Sequence, residues 1–549
     1  MYWNNTETMV KKGPKVVLHT FACAAAIFSV GGCGGIDETP ASNIPAPVVS
    51  NAERCQQLAK MVFPIATFTT VGEIHAGDFT APDTTIVKNL PEFCRVAASL
   101  TPSSDSNIRV EVWMPAEGWN GKYLGLGNGG YAGLLDYPSL GAGISRGYAV
   151  AHTDMGTYPA TSFDGKPLMG HPEKWIDWGY RSTHLMTMFA KAVAQQYYSA
   201  APTKSYFMGC STGGGQAIHE ATQYPADYDG VIVGAPANDR IGTHIGIATS
   251  WELLTTKNGG VPAAKLNLLY NEVVSACDSL DGVTDGIISQ PDQCKFNPAT
   301  LQCKGADAAN CLTASQVGAI EALYAGVSNS STGETIYPPF KKGSEQQWLP
   351  ITFFPGPVPP FGDLFNWVLG ANFSFETFDY VNDTATMNSV LGPILNATSP
   401  DLTTFKSRGG KIIAFNGLAD PLIPAGGLES YLEKVAKSAG DSRSFVRLFE
   451  VPGMGHCSGG IGVNKFGSSI STDAPFPGDS SRDLLAALDK WADSGAAPDR
   501  IVATKFADDD QTKGVVTRTF PLCPYPQVAK YDGHGDISQE SSYTCGSPS

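Results

Sequence analysis

Positive charge is scarce in this chain: 37 Lys and Arg stand against 52 Asp and Glu, a formal net charge of −15. That balance excludes nucleic acid and anionic membrane surfaces as partners, and otherwise serves solubility. Long apolar runs are missing too. Beyond the N-terminal segment, nothing approaches the roughly 20 unbroken apolar residues of a membrane span. No tandem repeat is visible, which removes solenoids and propellers. What remains is a chain of 549 residues, 42% hydrophobic, with 60 glycines and 38 prolines. Such a chain buries a large core, as two domains or as one with a substantial insertion, and has the loop-rich composition of exported proteins.

The little positive charge at the N-terminus is patterned. Lys11, Lys12 and Lys15 precede the apolar run Val16–Val30, and small residues follow up to Cys33. A basic region, a short apolar region and a small-residue cleavage site describe a signal peptide over 1–33. Cys33 resembles the lipidated cysteine of a bacterial lipoprotein; ordinary secretion is the alternative. Residues 34–50 read as a tether. The expected location is therefore outside the cytoplasm of a bacterium: secreted, periplasmic, or anchored by lipid to the outer membrane. Of twelve cysteines, Cys23 and Cys33 belong to the signal. The other ten can form five disulfides in an oxidising compartment, with no pairing fixed by spacing.

Strand-like runs alternate with helix-like ones from Ile108 to Pro236. Ile108–Pro115, Lys122–Gly130, Gly147–Gly156, Lys204–Gly209 and Asp229–Ala237 read as strands, and Ser182–Tyr198 as a helix. The alternation stops at about Asn238 and resumes with Gly409–Asp420 and Ser444–Cys457. The expected class is α/β with a largely parallel sheet. The catalytic domain covers 51–237 and 406–549, and 238–405 is an inserted lid domain. Two tandem domains are the alternative, which the returning pattern disfavours.

Gly-x-Ser-x-Gly occurs twice, around Ser211 and around Ser145. A nucleophile elbow needs a strand before the serine and a helix after it. Ser211 has that order; Ser145 is followed by a strand. In this fold an acid and then a histidine follow the nucleophile in the chain. Asp420 ends the first resumed strand, whereas Asp401 and Asp441 lie in connections. His456 follows the second resumed strand in a glycine-rich loop, whereas His534 sits in the C-terminal tail. The chemistry expected is attack by Ser211 on an ester carbonyl, with His456 as base and Asp420 orienting it. Backbone N–H groups of Thr212 and of Gly130, with Gly129 as rival, would hold the oxyanion.

Cys210-Ser211, Asp420 and His456-Cys457 together resemble the Cys-Ser/Asp/His-Cys arrangement of the tannase and feruloyl esterase family. "FNGLADPLIP", "VPGMGHCSGG" and "FPLCPYPQVAKYDGHGD" are also similar to that family, and the resemblance spans about Cys55 to Cys545. It implies an α/β-hydrolase fold with an inserted lid, and serine-esterase activity on small esters of aromatic acids without an organic cofactor. It also implies the disulfides Cys210–Cys457, Cys55–Cys94, Cys277–Cys294, Cys303–Cys311 and Cys523–Cys545. Asp278, Asp281 and Asp285 share one short loop, where oxygen ligands for Ca²⁺ and simple turn capping are equal readings of the chemistry. The resemblance favours a structural calcium site, adding the carbonyls of Val283 and Ile287.

Between Lys342 and Lys406 no Lys or Arg occurs, while aromatic residues crowd the tract, among them Trp348, Phe361, Phe365, Trp367 and Phe378. An aromatic acyl group suits such a lining, and the lid's own core is the competing use of those rings. Family members that hydrolyse terephthalate monoesters use a lid arginine for the free carboxylate. Its absence from this tract favours feruloyl or galloyl esters, with terephthalate monoesters as the alternative. A non-catalytic binding protein is the reading from another class.

Overall fold

The structure is a computed structural model that describes residues 49–159, 161–255, 260–352 and 358–548. The signal peptide and nearly all of the tether lie outside the described residues.

Nine strands form the main sheet: β1 (Ala66–Ile74), β2 (Phe93–Leu100), β3 (Ile108–Pro115), β4 (Lys122–Leu126), β5 (Ala149–Thr153), β6 (Lys204–Cys210), β7 (Gly230–Gly234), β8 (Lys411–Gly417) and β9 (Val446–Val451). Their order across the sheet is β1-β2-β3-β5-β4-β6-β7-β8-β9. The first four of that order pair antiparallel. From β5 to β9 every pairing is parallel. The sheet is therefore mixed, and its parallel half is the one the alternating pattern anticipates.

Parallel strands are covered on both faces, which explains their nearly continuous apolar runs. Along β7, Val231 and Val233 face one core with helices α2 (Ser182–Tyr198), α3 (Thr212–Gln223) and α5 (Gly426–Ala439). Ile232 faces the other core with α1 (Tyr137–Ser145) and α6 (Leu484–Ser494). The helix α4 (Arg240–Thr255) follows β7 and opens the insertion.

The chain leaves the sheet after Gly234 and rejoins it at Lys411. The insertion between these points has a core of its own around Trp251, Leu269, Ile320 and Trp348. A second core is shared: Tyr131, Met155 and Trp178 pack with Ile241, Phe365 and Trp367. Val49–Ser549 accordingly forms one compact unit. Among the described residues, no helix is long and apolar enough to cross a membrane.

Candidate active site

Ser211 lies between β6 and α3 with φ 61° and ψ −118°. A non-glycine residue there is strained, and the surroundings must hold it. Its N–H donates to the Gly234 carbonyl at 3.0 Å, and its own carbonyl accepts from Gly215 and Ala237. The turn also needs room. A Cβ on Gly209 would sit 2.6 Å from the Gly213 backbone, and one on Gly127 would sit 2.7 Å from Gly213 Cα. Thus the loop after β4 crosses the elbow at glycine on both sides. Ser145, the other match, is in the last turn of α1 and donates to the Gly141 carbonyl at 2.8 Å.

The loops after β8 and β9 bring Asp420 and His456 together, with His456 Nδ1 2.8 Å from Asp420 Oδ2. The Asp420 carboxylate is buried, and its other oxygen accepts the Leu422 and Ile423 N–H groups at 2.8 and 2.9 Å. The bond at Nδ1 fixes the ring so that Nε2 is left to accept a proton. Asp401 and Asp441 cap local turns, and His534 is exposed in the tail. Ser211 Oγ is not hydrogen-bonded to the imidazole in this structure; such contacts often tighten only around substrate.

All five disulfides implied by the family resemblance are present. Cys210–Cys457 links residues 247 apart in sequence, with Cα atoms 6.0 Å apart. It joins the position before Ser211 to the position after His456, so the two loops cannot drift apart independently. Five disulfides belong to a chain folded in an oxidising compartment, that is, an exported one.

Ser211, Thr212, Gly129, Gly130 and His456 line one cavity of about 390 Å³. Among the described residues, no protein acceptor takes the N–H groups of Thr212, Gly129 or Gly130. The Gly129 carbonyl accepts from Ala132 at 2.9 Å. In a trans peptide the Gly130 N–H points the opposite way, which leaves it available to a ligand.

The aromatic tract serves the fold more than the cavity. Phe365, Trp367, Phe375 and Phe378 are buried in the shared core, and Trp348 in the insertion's own. Within the described part of the tract, Phe361 alone reaches the cavity, where Phe163 from the other side of the chain meets it at 4.9 Å between ring centroids. Ile247, Leu422 and Ile423 add apolar lining to the cavity, and Ser139, Ser468 and Ser469 add polar lining. Sequence reasoning missed Arg240. It lies outside the cation-free tract, at the start of α4, and lines the cavity. Burial lowers its pKa to about 10, so it stays cationic at neutral pH. Burial, with Arg240 adding, lowers neighbouring His244 to about 3 and keeps it neutral.

The acidic loop is folded on itself. Asp278 accepts from the Asp285 and Gly286 N–H groups, Asp281 from Val283, and Asp285 from Ile287. Arg518 also pairs with Asp285. Three acceptors stay unused among the described residues: Asp281 Oδ2, which is buried, and the carbonyls of Val283 and Ile287. Burial pushes the Asp281 carboxyl above its ordinary pKa range. An all-oxygen set with orphaned members fits a hard cation.

The family model described as tannase and feruloyl esterase matches residues 94–356 and 365–546. The chain belongs to the tannase and feruloyl esterase family. An uncharacterized esterase of Xanthomonas campestris pv. campestris is 37% identical over 538 residues, 90% of this chain and 92% of that protein. The mono(2-hydroxyethyl) terephthalate hydrolase of Piscinibacter sakaiensis is 31% identical, over 91% of this chain and 93% of its own length. The crystal structure of feruloyl esterase B from Aspergillus oryzae superposes with a TM-score of 0.83 at 27% identity. That match covers 90% of this chain and all of the other. This tannase and feruloyl esterase family member has the α/β-hydrolase fold and is a carboxylic ester hydrolase.

Proposed function

We propose that this esterase cleaves esters of aromatic acids through an acyl-enzyme on Ser211. The observation that carries the reading is the Asp420–His456 hydrogen bond at a cavity that also holds the strained Ser211. His456 takes the Ser211 proton as Oγ attacks the ester carbonyl, and Asp420 stabilises the imidazolium. The carbonyl oxygen, now negative, is held by the Gly130 N–H from the loop after β4 and by the Thr212 N–H at the start of α3, where the helix dipole also favours it. The protonated imidazole then releases the alcohol, and water repeats the sequence to free the acid. Phe163, Phe361 and the aliphatic wall suit a flat aromatic acyl group.

Methyl ferulate, methyl gallate and a terephthalate monoester compared on one preparation test the substrate class. The expected order places the neutral phenolic esters first in kcat/KM. Arg240 keeps the second reading alive, because it is a cation at the cavity wall, and the terephthalate hydrolase is a relative. It already serves Thr212, however, with Nη1 3.0 Å from the hydroxyl. A strong preference for the terephthalate ester would reverse the order. No turnover of any of the three would place the substrate among other esters.

The oxygen ligands Asp278, Asp281, Asp285, Val283 and Ile287 support a structural calcium ion, which would tie the loop's carboxylates together. Saturating calcium at 100 times its Kd adds about 2.7 kcal/mol of stability. Chelation should therefore lower Tm by several degrees, and Asp281→Asn should abolish that shift. An identical Tm with and without EDTA, in a protein that carries no calcium by elemental analysis, would leave the loop as a capped turn. The N-terminal pattern supports export through a cleaved signal, with lipid attachment at Cys33.

A further inference from the structure

Thr212 contributes more than its backbone. Its hydroxyl donates to the Gly130 carbonyl at 2.7 Å and receives Arg240 Nη1 at 3.0 Å. A guanidinium has no acceptor, so the hydroxyl proton is forced toward Gly130. The Gly130 carbonyl takes a second donor, Trp178 Nε1, at 3.3 Å. The Arg240 guanidinium in turn stacks on the Trp178 ring, 4.5 Å from its centroid. Four residues from separate segments of the chain close a ring around one carbonyl.

That ring fixes the peptide plane that directly follows the proposed Gly130 donor, while Ala132 N–H holds the plane that carries it through the Gly129 carbonyl. The Gly130 carbonyl is pinned by two donors, and the next N–H, of Tyr131, is pinned to the Ser162 carbonyl at 2.8 Å. Gly130 has φ 54°, and a Cβ there would sit 2.2 Å from that same Ser162 carbonyl oxygen. Glycine makes the conformation accessible, but glycine also makes it soft. Something else must hold it. Arg240 can do so, because it is buried and among the described residues no carboxylate pairs with it. Its charge is left to act on Thr212 and the space beyond, where negative charge develops in the reaction.

We propose that Arg240 is a positioning residue of the oxyanion pocket, acting through the Thr212 hydroxyl to set the Gly130 loop. The proposal rests on Ser211 being the nucleophile, and the test separates the two. Thr212→Val keeps the backbone N–H and the side-chain shape but breaks the ring; Arg240→Met removes the donor. Each should lower kcat on methyl ferulate by about 10- to 100-fold, as for a small misplacement of reacting groups, with KM changed less than about threefold. The Thr212→Val/Arg240→Met double variant should be no worse than the poorer single one, since both cut the same chain of contacts. Thr212→Ser should regain most of the lost turnover.

Two ligands read the pocket apart from turnover. Phenylboronic acid becomes tetrahedral on a serine and needs the oxyanion donors, whereas coniferyl alcohol, the uncharged alcohol analogue of ferulate, does not. Boronate affinity should fall in step with kcat, and coniferyl alcohol affinity should hold. Additive losses, retained kcat in Thr212→Val, or equal weakening of both ligands would overturn the relay. Turnover by Ser211→Ala would instead remove the nucleophile itself. If Arg240→Met does not fold, the two Thr212 variants carry the test alone.

Discussion

Ser211→Ala should lower kcat by roughly 10⁴- to 10⁶-fold, the cost of losing a nucleophile that acts as a unit with its base. The size follows from what the substitution leaves behind. Alanine keeps the backbone, so the Thr212 N–H, the Gly130 loop and the disulfide all stay in place. Only the attacking oxygen and its proton are gone, and the residual rate comes from binding and oxyanion donors alone. Ferulate affinity and Tm should stay close to wild type, because Ser211 Oγ has no structural hydrogen bond among the described residues. Progress curves on an aryl ester, with a thermal melt on the same sample, check both halves. A variant that keeps even a hundredth of the activity would have its nucleophile elsewhere.

Cys210→Ser/Cys457→Ser carries the second large effect. The bridge closes a loop of 247 residues, for which chain entropy gives a stabilisation on the order of 2–5 kcal/mol. It should also cost about 100-fold in kcat, since the bridge ties the loop bearing Ser211 directly to the loop bearing His456. Both effects are separated by assaying well below the lowered Tm, where the variant is folded. Cys303→Ser/Cys311→Ser is the control, because it opens only an eight-residue separation far along the insertion. It should leave kcat alone. Wild-type kcat in the Cys210/Cys457 variant would make the bridge a stability device only.

Much of the parallel sheet is readable because β6, β7, β8 and β9 are largely buried, and β7 and β8 end at glycine. The same geometry made Ser211, Asp420 and His456 readable, since each follows closely after one of these strands. β1 was not readable: "ATFTTVGEI" is half-exposed along its length and pairs antiparallel at the sheet edge, so its pattern is weak. For the aromatic tract the competing use, the insertion's own core, prevails for a physical reason. Ring content reports burial, and most of these rings bury one another rather than face a ligand. Arg240 was invisible because its meaning lies in contacts with Thr212 and Trp178, which are remote in sequence. Gly127 shows the same limit, as its partner glycines at 209 and 213 meet it only in the fold.

The most direct measurement is covalent capture of the nucleophile. A fluorophosphonate added to the full-length protein should abolish ester hydrolysis at one equivalent. Peptide mass analysis should then place a single adduct on Ser211, and Asp420→Asn should slow the labelling. Complete inactivation with the adduct on another residue, such as Ser145, or with no adduct at all, would contradict the account.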